Sequence, residues 1–354
     1  MRRHFSSRGV RAASLAAALA AAAMTAGCGG SSDTSGSGAS TGSSAGAKTT
    51  LALVAYSTPK KAYAALTTAF EQTAAGQGVS FSTSFGASGS QSRAVDTGQP
   101  ADLVAFSLAP DITRLVKDGI VASSWDAGAH KGVTSDSVVV LVVRKGNPKH
   151  ITGWDHLIKP GIDVITPNPS TSGGARWNVL AGYGAELKEG KSPKQALVYL
   201  RTLLTKNVSV QDSSASAALQ TFTGGKGDVL LDYESDAIAA EKAGEPVQYV
   251  VPKQTILIQT PTAVTAKSSH AVQAQAFVDW QLSPAGQTIW AQQGYRPVVA
   301  SIARRFASRF PTPPGLFTID FLGGWTKVKK SMFDPTAGAV TKIEQAAGVP
   351  TASS

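Results

Sequence analysis

Val164-Ile165-Thr166-Pro167-Asn168-Pro169-Ser170-Thr171-Ser172-Gly173-Gly174-Ala175-Arg176-Trp177 reads as a short apolar strand that stops at two prolines and gives way to a helix at Ser172. Neither Pro167 nor Pro169 can extend a strand or a helix, so the residues between them form a loop. Ser172 then stands at a natural N-cap. Gly173 and Gly174 put no side chain between the free N–H groups of the first turn and an approaching ligand. Such a turn attracts anions, because its N–H groups carry the positive end of the helix dipole. Ser-Gly-Gly before a helix is often only a cap, and the rest of the chain decides between the two readings.

About 300 residues make up the folded body, a length that suits two α/β lobes or one large one. Leu51 to Tyr56 is a continuous apolar run of the kind buried in a parallel sheet, and Ser57-Thr58-Pro59 then starts a helix with Tyr63, Leu66 and Phe70 on its inner face. Val79, Phe81, Thr83 and Phe85 alternate in a second strand that ends at Gly86-Ala87-Ser88-Gly89-Ser90-Gln91. Leu103 to Phe106 is a third strand, followed by a helix from Pro110 to Gly119. Three strand–helix units in a row imply a doubly wound lobe.

Val138 to Val143 is the strongest β run and predicts the crossing into a second lobe, with Ile256-Leu257-Ile258 and Val264 crossing back. That second lobe holds the quoted stretch, a helix from Ser192-Pro193 with Leu197, Leu200 and Leu204 facing in, and the strand Val229 to Tyr233. Phe277, Trp280, Ile289 and Trp290 fall at helical spacing and are expected to complete the first lobe.

Metal chemistry has little to stand on, since the five histidines are unpaired at ligand spacing; His150 and His156, the nearest two, are six apart. No strand-to-helix elbow carries a nucleophilic serine, and neither a Walker pattern nor a dinucleotide fingerprint occurs. Basic residues are scattered among acids, which argues against a nucleic-acid surface. Serine and glycine do recur at helix starts, at Ser57, Ser88, Ser172-Gly173-Gly174 and Asp212-Ser213-Ser214-Ala215. Gathered together, these turns would enclose a small dianion with neutral donors and no salt bridge.

The segment from Val164 to Asn178 resembles the signature of the bacterial sulfate/thiosulfate-binding proteins, the soluble receptors of sulfate ABC importers, differing mainly at Ser170, where that family usually carries Lys. The resemblance continues through Tyr56-Ser57, Gly86 to Gln91, Pro100-Ala101-Asp102, Val143 to Pro148, Gly227 to Leu230, Ser283 to Gln287, Tyr295-Arg296-Pro297 and Leu316 to Trp325. It implies an α/β, two-lobed periplasmic-binding-protein fold of type 2 with the ligand in the inter-lobe cleft. It also implies contacts to sulfate from Ser57, Ser88, Ser172, Gly173, Gly174 and Ala215, by backbone N–H groups and a serine hydroxyl. Ser57 replaces a family Asp whose contact is a backbone N–H, a change the site should tolerate. Tyr233 stands where the family has a Trp whose indole N–H reaches sulfate, so a phenol hydroxyl must take that role.

The N-terminal region predicts export. Arg2, Arg3, Arg8 and Arg11 precede an apolar run from Ala12 to Met24, too short to cross a bilayer, and then Thr25-Ala26-Gly27-Cys28. Cys28, the one cysteine of the chain, follows small residues as the lipid-acceptor cysteine of lipoproteins does, with Thr25 departing from the aliphatic residue preferred there. Arg2-Arg3-His4-Phe5 resembles a twin-arginine signal only in part. Residues 29–48 are nearly all Gly, Ser, Ala and Thr, a composition that forms a flexible tether. Loss of the four arginines before Cys28 takes the formal charge from +10 to +6, which still favours anions.

The expected organisation is a signal peptide over 1–28, the tether over 29–48, lobe 1 from 49–137 and 259–345, lobe 2 from 138–258, and a tail over 346–354. The expected protein is a monomeric, lipid-anchored receptor outside the cytoplasmic membrane, neither enzyme nor cofactor binder, that delivers sulfate to an ABC permease. Thiosulfate, molybdate and phosphate are the alternative ligands; a hydrolase on the same scaffold and a structural surface lipoprotein are the alternatives of another class.

Overall fold

The computed structural model describes residues 48–351. The signal segment, Cys28, nearly all of the tether and the last three residues lie outside the described residues.

The first half of the sheet is built from strand–helix units. β1 (Thr49–Tyr56) pairs in parallel with β2 (Val79–Gly86) and with β3 (Leu103–Ala105). The helices between and after them are α1 (Lys60–Glu71), α2 (Ser88–Asp96) and α3 (Ala109–Lys117). α1 buries Tyr63, Leu66 and Phe70 against Phe277 and Trp290, while Val54, Val104, Phe106, Ile112 and Leu115 fill the opposite face. β2 lies at the sheet edge, so its alternation is blurred: Phe81 is half-buried and Thr83 exposed.

β4 (Val133–Arg144) is twelve residues long and begins five residues before the apolar run that announces it. Its first half pairs antiparallel with the later strand β9 (Leu257–Val264), and its second half, Val139 to Val143, pairs antiparallel with β7 (Val229–Tyr233). Thr134 and Ser135 are polar yet buried because their hydroxyls pair with those of β9, Ser135 with Thr260 at 2.8 Å and Thr134 with Thr262 at 3.0 Å. β9 in turn passes from β4 to β3, so two strands cross between the halves, as Val138 to Val143 and Ile256 to Val264 lead one to expect.

Beyond the crossing come β5 (Val164–Pro167), α4 (Gly173–Lys188), α5 (Pro193–Thr202), β6 (Val208–Asp212) and α6 (Ala215–Thr223). α7 (Glu234–Lys242) follows β7, and β8 (Val247–Val250) pairs with β4. The sheet order is β2-β1-β3-β9-β4-β7-β5-β6 with β8 off the path. Val138, Val140 and Val142 pack on one face, and Val139, Leu141 and Val143 on the other, which is why this run shows no polar alternation.

Two helices after β9, α8 (Ala271–Gln281) and α9 (Pro284–Gln292), bury Phe277 and Trp290 with the β1 side, as their spacing predicts. The later part of 259–345 packs elsewhere. Phe317, Ile319, Leu322, Met332, Val340 and Ile343 pack in the core that holds Trp177 and Leu200, which also takes in Tyr56 and Leu108. Amphipathic spacing shows that such residues face a core but not which one.

Glu344 anchors that C-terminal segment. Its Oε2 accepts from Gln211 Nε2 at 2.7 Å, its Oε1 has no partner, and burial pushes its carboxyl up to about 7. The folded chain therefore keeps a proton that the unfolded chain releases, so stability falls as pH rises from the ordinary glutamate range through 7. Glu344→Gln is expected to remove that loss, unfolding up to about 3 kcal/mol less readily than wild type at pH 8 and differing little at pH 4.5, as read by denaturant titration.

Candidate functional site

The loop before α4 folds as its prolines require. Asn168 organises it: Asn168 Oδ1 accepts from Ser170 N at 2.7 Å, and Asn168 O accepts from Ser172 N at 2.9 Å. Ser172 is the N-cap, its Oγ accepting from Ala175 N at 3.4 Å. That bond uses an oxygen lone pair, so the Ser172 hydroxyl proton remains to be donated. The N–H groups of Gly173 and Gly174 have no intrahelical acceptor.

Two glycines serve two purposes. A Cβ on Gly173 would lie 2.6 Å from Ser107 Oγ and 2.9 Å from Leu108 Cδ2, so no side chain fits there. A Cβ on Gly174 would lie 3.4 Å from Ser172 Oγ, 3.5 Å from Tyr233 Cε1 and 3.6 Å from Ala215 Cβ, ordinary contact distances. Gly174 is thus the meeting point of the α4 turn, the α6 turn and the end of β7.

Ser214 caps α6 by accepting from Ala217 N at 3.2 Å, which places Ala215 at its first position. Ser88 is buried in the first turn of α2, where Ala87 rather than a serine is the cap. Its hydroxyl donates to Asp111 Oδ2 at 2.6 Å and accepts from Ser107 N at 3.0 Å. Gly89 N donates to Thr171 O at 3.2 Å, which brings the start of α2 against the α4 loop. Ser57 lies farther out, beside Thr58, Ser235, Asp236 and Tyr295 in a cleft of about 480 Å³. It follows Tyr56, whose ring centroid is 6.4 Å from that of Tyr233.

Ser107 is the residue that sequence reasoning missed. It follows the three-residue β3, and the turn has no glycine to mark it. Its Oγ is 2.6 Å from Tyr233 OH, and its carbonyl accepts from Trp177 Nε1 at 2.8 Å. Two hydroxyls carry two protons and their mutual bond consumes one, so one remains to donate. Burial holds Tyr233 well above the ordinary phenol range, so the pair does not lose a proton near neutral pH.

Of the acids near the site, Asp212 gives its carbonyl to Asn168 N at 2.7 Å, and Glu234 is bound by Arg296 at 2.7 and 2.9 Å. Asp232 Oδ1 accepts from Tyr233 N at 2.9 Å. Asp236, in the first turn of α7, lines the cleft. In the sequence it belongs to an ordinary acidic helix start, and nothing marks it as buried.

Helix starts from several segments, converging on one glycine turn across a sheet entered by two crossing strands, define a two-lobed binding-protein architecture of the periplasmic type. A family profile described as bacterial extracellular solute-binding protein matches residues 51–296, and the chain belongs to that family. The sulfate-binding protein of Synechococcus elongatus is 38% identical over 313 residues, 85% of this chain and 88% of that protein. The thiosulfate-binding protein of Pseudomonas aeruginosa is 34% identical over 267 residues, covering 73% of this chain and 80% of its own. The solved structure of the sulfate-binding protein SubI from Mycobacterium tuberculosis H37Rv superposes with a TM-score of 0.79 at 48% identity, covering 81% of this chain and 100% of that one. The resemblance read from the Val164–Asn178 signature is thus borne out across the chain.

Gly173→Ala is expected to lower stability by ~1–3 kcal/mol, because the added methyl must displace Ser107. Gly174→Ala has room and should leave thermal unfolding unchanged or slightly raised. Equal effects of the two substitutions on the melting temperature would contradict this division.

Proposed function

We propose that the chain is an extracytoplasmic receptor that captures sulfate, or thiosulfate, between its lobes and delivers it to the permease of an ABC importer. The observation that carries this reading is the convergence of the α4 and α6 starts and Tyr233 on Gly174. Backbone N–H groups of Ser57, Ser88, Gly173, Gly174 and Ala215 would supply most donors, with hydroxyl protons from Ser172 and from the Ser107–Tyr233 pair. Such donors neither titrate nor rearrange. The names of the relatives support the choice of ligand.

In this reading lobe 1 is 49–137 with the return through β9, α8 and α9, and lobe 2 is 138–258, to which the chain from about Phe317 onward adds. Cys28 would anchor the chain by lipid to the outer face of the membrane, and the monomer would suffice for binding. We read the chain as a carrier and not an enzyme, because the partner of Ser107 is a phenol held protonated, which cannot act as a general base.

Sulfate needs donors only, whereas phosphate near pH 7 keeps a proton that needs an acceptor. Asp232 Oδ1 is taken by Tyr233 N, and Asp236, which lines the cleft, has its carboxyl pushed up to about 6 by burial. An unpaired buried proton costs ~1–3 kcal/mol, or ~10- to 100-fold in affinity. Competition calorimetry at pH 7 is expected to show sulfate ahead by that margin; equal or tighter phosphate binding would overturn the ligand assignment.

Gly174→Asp places a carboxylate where the dianion is proposed to sit, and two like charges ~4 Å apart repel by ~1 kcal/mol even in water and by more in a closed cleft. The variant is expected to fold and to give no heat with sulfate. Near-normal affinity in a folded variant would refute the location of the site.

A further inference from the structure

Beyond its last helix the chain turns back onto the loop that leads into α4. That helix, α10 (Ala339–Ala346), has Ala347 as its C-cap, and Gly348 follows at φ +72°. Gly348 N donates to Gln345 O at 3.1 Å and Val349 N to Glu344 O at 3.0 Å, the pair of bonds by which a left-handed glycine closes a helix and reverses the chain. Pro350 cannot resume the helix. Its carbonyl accepts instead from Asn168 Nδ2 at 2.9 Å, and a bond of 3.2 Å between Gln345 Nε2 and Thr351 Oγ1 keeps the segment beside its own helix.

Asn168 is 7% exposed, and its amide is engaged at both ends, Oδ1 inside the loop on Ser170 N and Nδ2 on Pro350. A second tie runs to the α6 turn, where Gln211 Nε2 donates to Glu344 Oε2 at 2.7 Å. Asp212 follows, with its carbonyl on Asn168 N, and Ser214 then caps α6. Thr171 Oγ1 donates to Ser213 O at 2.8 Å. The loops entering α4 and α6 are therefore joined to each other and, through two side-chain amides, to the end of α10.

We propose that the end of α10 is a brace for the anion turn: Glu344 and the Pro350 carbonyl hold Gln211 and Asn168 so that the α4 and α6 starts are aimed before the ligand arrives. This rests on the sulfate reading for its ligand. Asn168, Gln211 and Glu344 are positioning residues, acting through the N–H groups that follow them. Donors bind an anion well when they are already aimed, because every rotation left free in the empty site has to be stopped on binding. A loop that is competent for only a fraction of the time binds with an affinity reduced by that fraction. Val340 and Ile343 already seat α10 in the core with Trp177, so the polar ties can be cut while the helix stays docked.

Ending the chain after Ala347 removes Pro350, and ending it after Thr351 keeps Pro350 as a control. In calorimetry with sodium sulfate the shorter chain should bind about three- to tenfold more weakly than the full chain, a factor set by the loss of one hydrogen bond, and the control should bind as the full chain does. Gly348→Ala makes the same test at full length: nothing lies within 4 Å of the added Cβ, so its effect comes from the left-handed backbone alone. It should weaken binding too. Glu344→Leu should weaken binding, and Glu344→Gln, which keeps an acceptor for Gln211, should restore it. A merely structural role would lower the melting temperature of these variants and leave their affinity where it was, and that result would overturn the proposal. Hydrogen exchange read by NMR without ligand decides the brace independently. The N–H groups of Ser170 and Ser172, both bonded to Asn168, should exchange faster once Pro350 is gone, and unchanged exchange would refute it. If the full chain binds no sulfate the ligand reading falls, while the exchange result still decides whether the brace exists.

Discussion

Close approach at Gly173 is the constraint on which the rest of the site depends. Ser107 and Leu108 occupy the space that any side chain would need there, so the start of α4 can press against the turn after β3. Ser107 then reaches three ways, to Ser88 through its N–H, to Tyr233 through its hydroxyl and to Trp177 through its carbonyl. Each bond is worth on the order of 1 kcal/mol, but together they fix the starts of α2 and α4 and the end of β7 relative to one residue. A larger residue at Gly173 would loosen all of them at once.

The charge distribution around the turn inverts what an anion site suggests. Acids stand close to it: Asp111 accepts from Ser88, Asp232 accepts from Tyr233 N, and Asp236 lines the cleft. Glu234 is held by Arg296 in a buried bidentate pair. Positive potential comes instead from backbone N–H groups and helix ends, which cannot be lost by titration. Neutral donors so arranged avoid the desolvation cost that a buried lysine or arginine would carry.

Much of this was legible in the sequence where chain chemistry is local. Pro167, Pro169 and Ser172 mark the end of β5 and the cap of α4 without tertiary help, and Val138 to Val143 announces a strand buried on both faces. Thr134 and Ser135 hid the first half of β4, because their hydroxyls find partners on a strand more than a hundred residues away. Ser107 carries no local mark, since its importance comes from what packs on it. The C-terminal helices could be seen as amphipathic but not assigned to a core, and nothing in the sequence around Asp236 marks it as buried. What Tyr233 does was readable only through the family resemblance, as its neighbours are distant in sequence.

The two crossing strands have a mechanical consequence. Two ribbons joining two blocks act as a leaf-spring pair, compliant to bending about one axis and stiff to twist and shear. Here the ribbons are β4 and β9, and the rows of hydroxyls that lace them, Thr134 with Thr262 and Ser135 with Thr260, can rotate their protons as the strands flex. The lacing adds adjustable hydroxyl bonds to the backbone ladder that already joins the two strands. Any bending of one block against the other would have to pass through these two strands and would be spread over their many soft torsions.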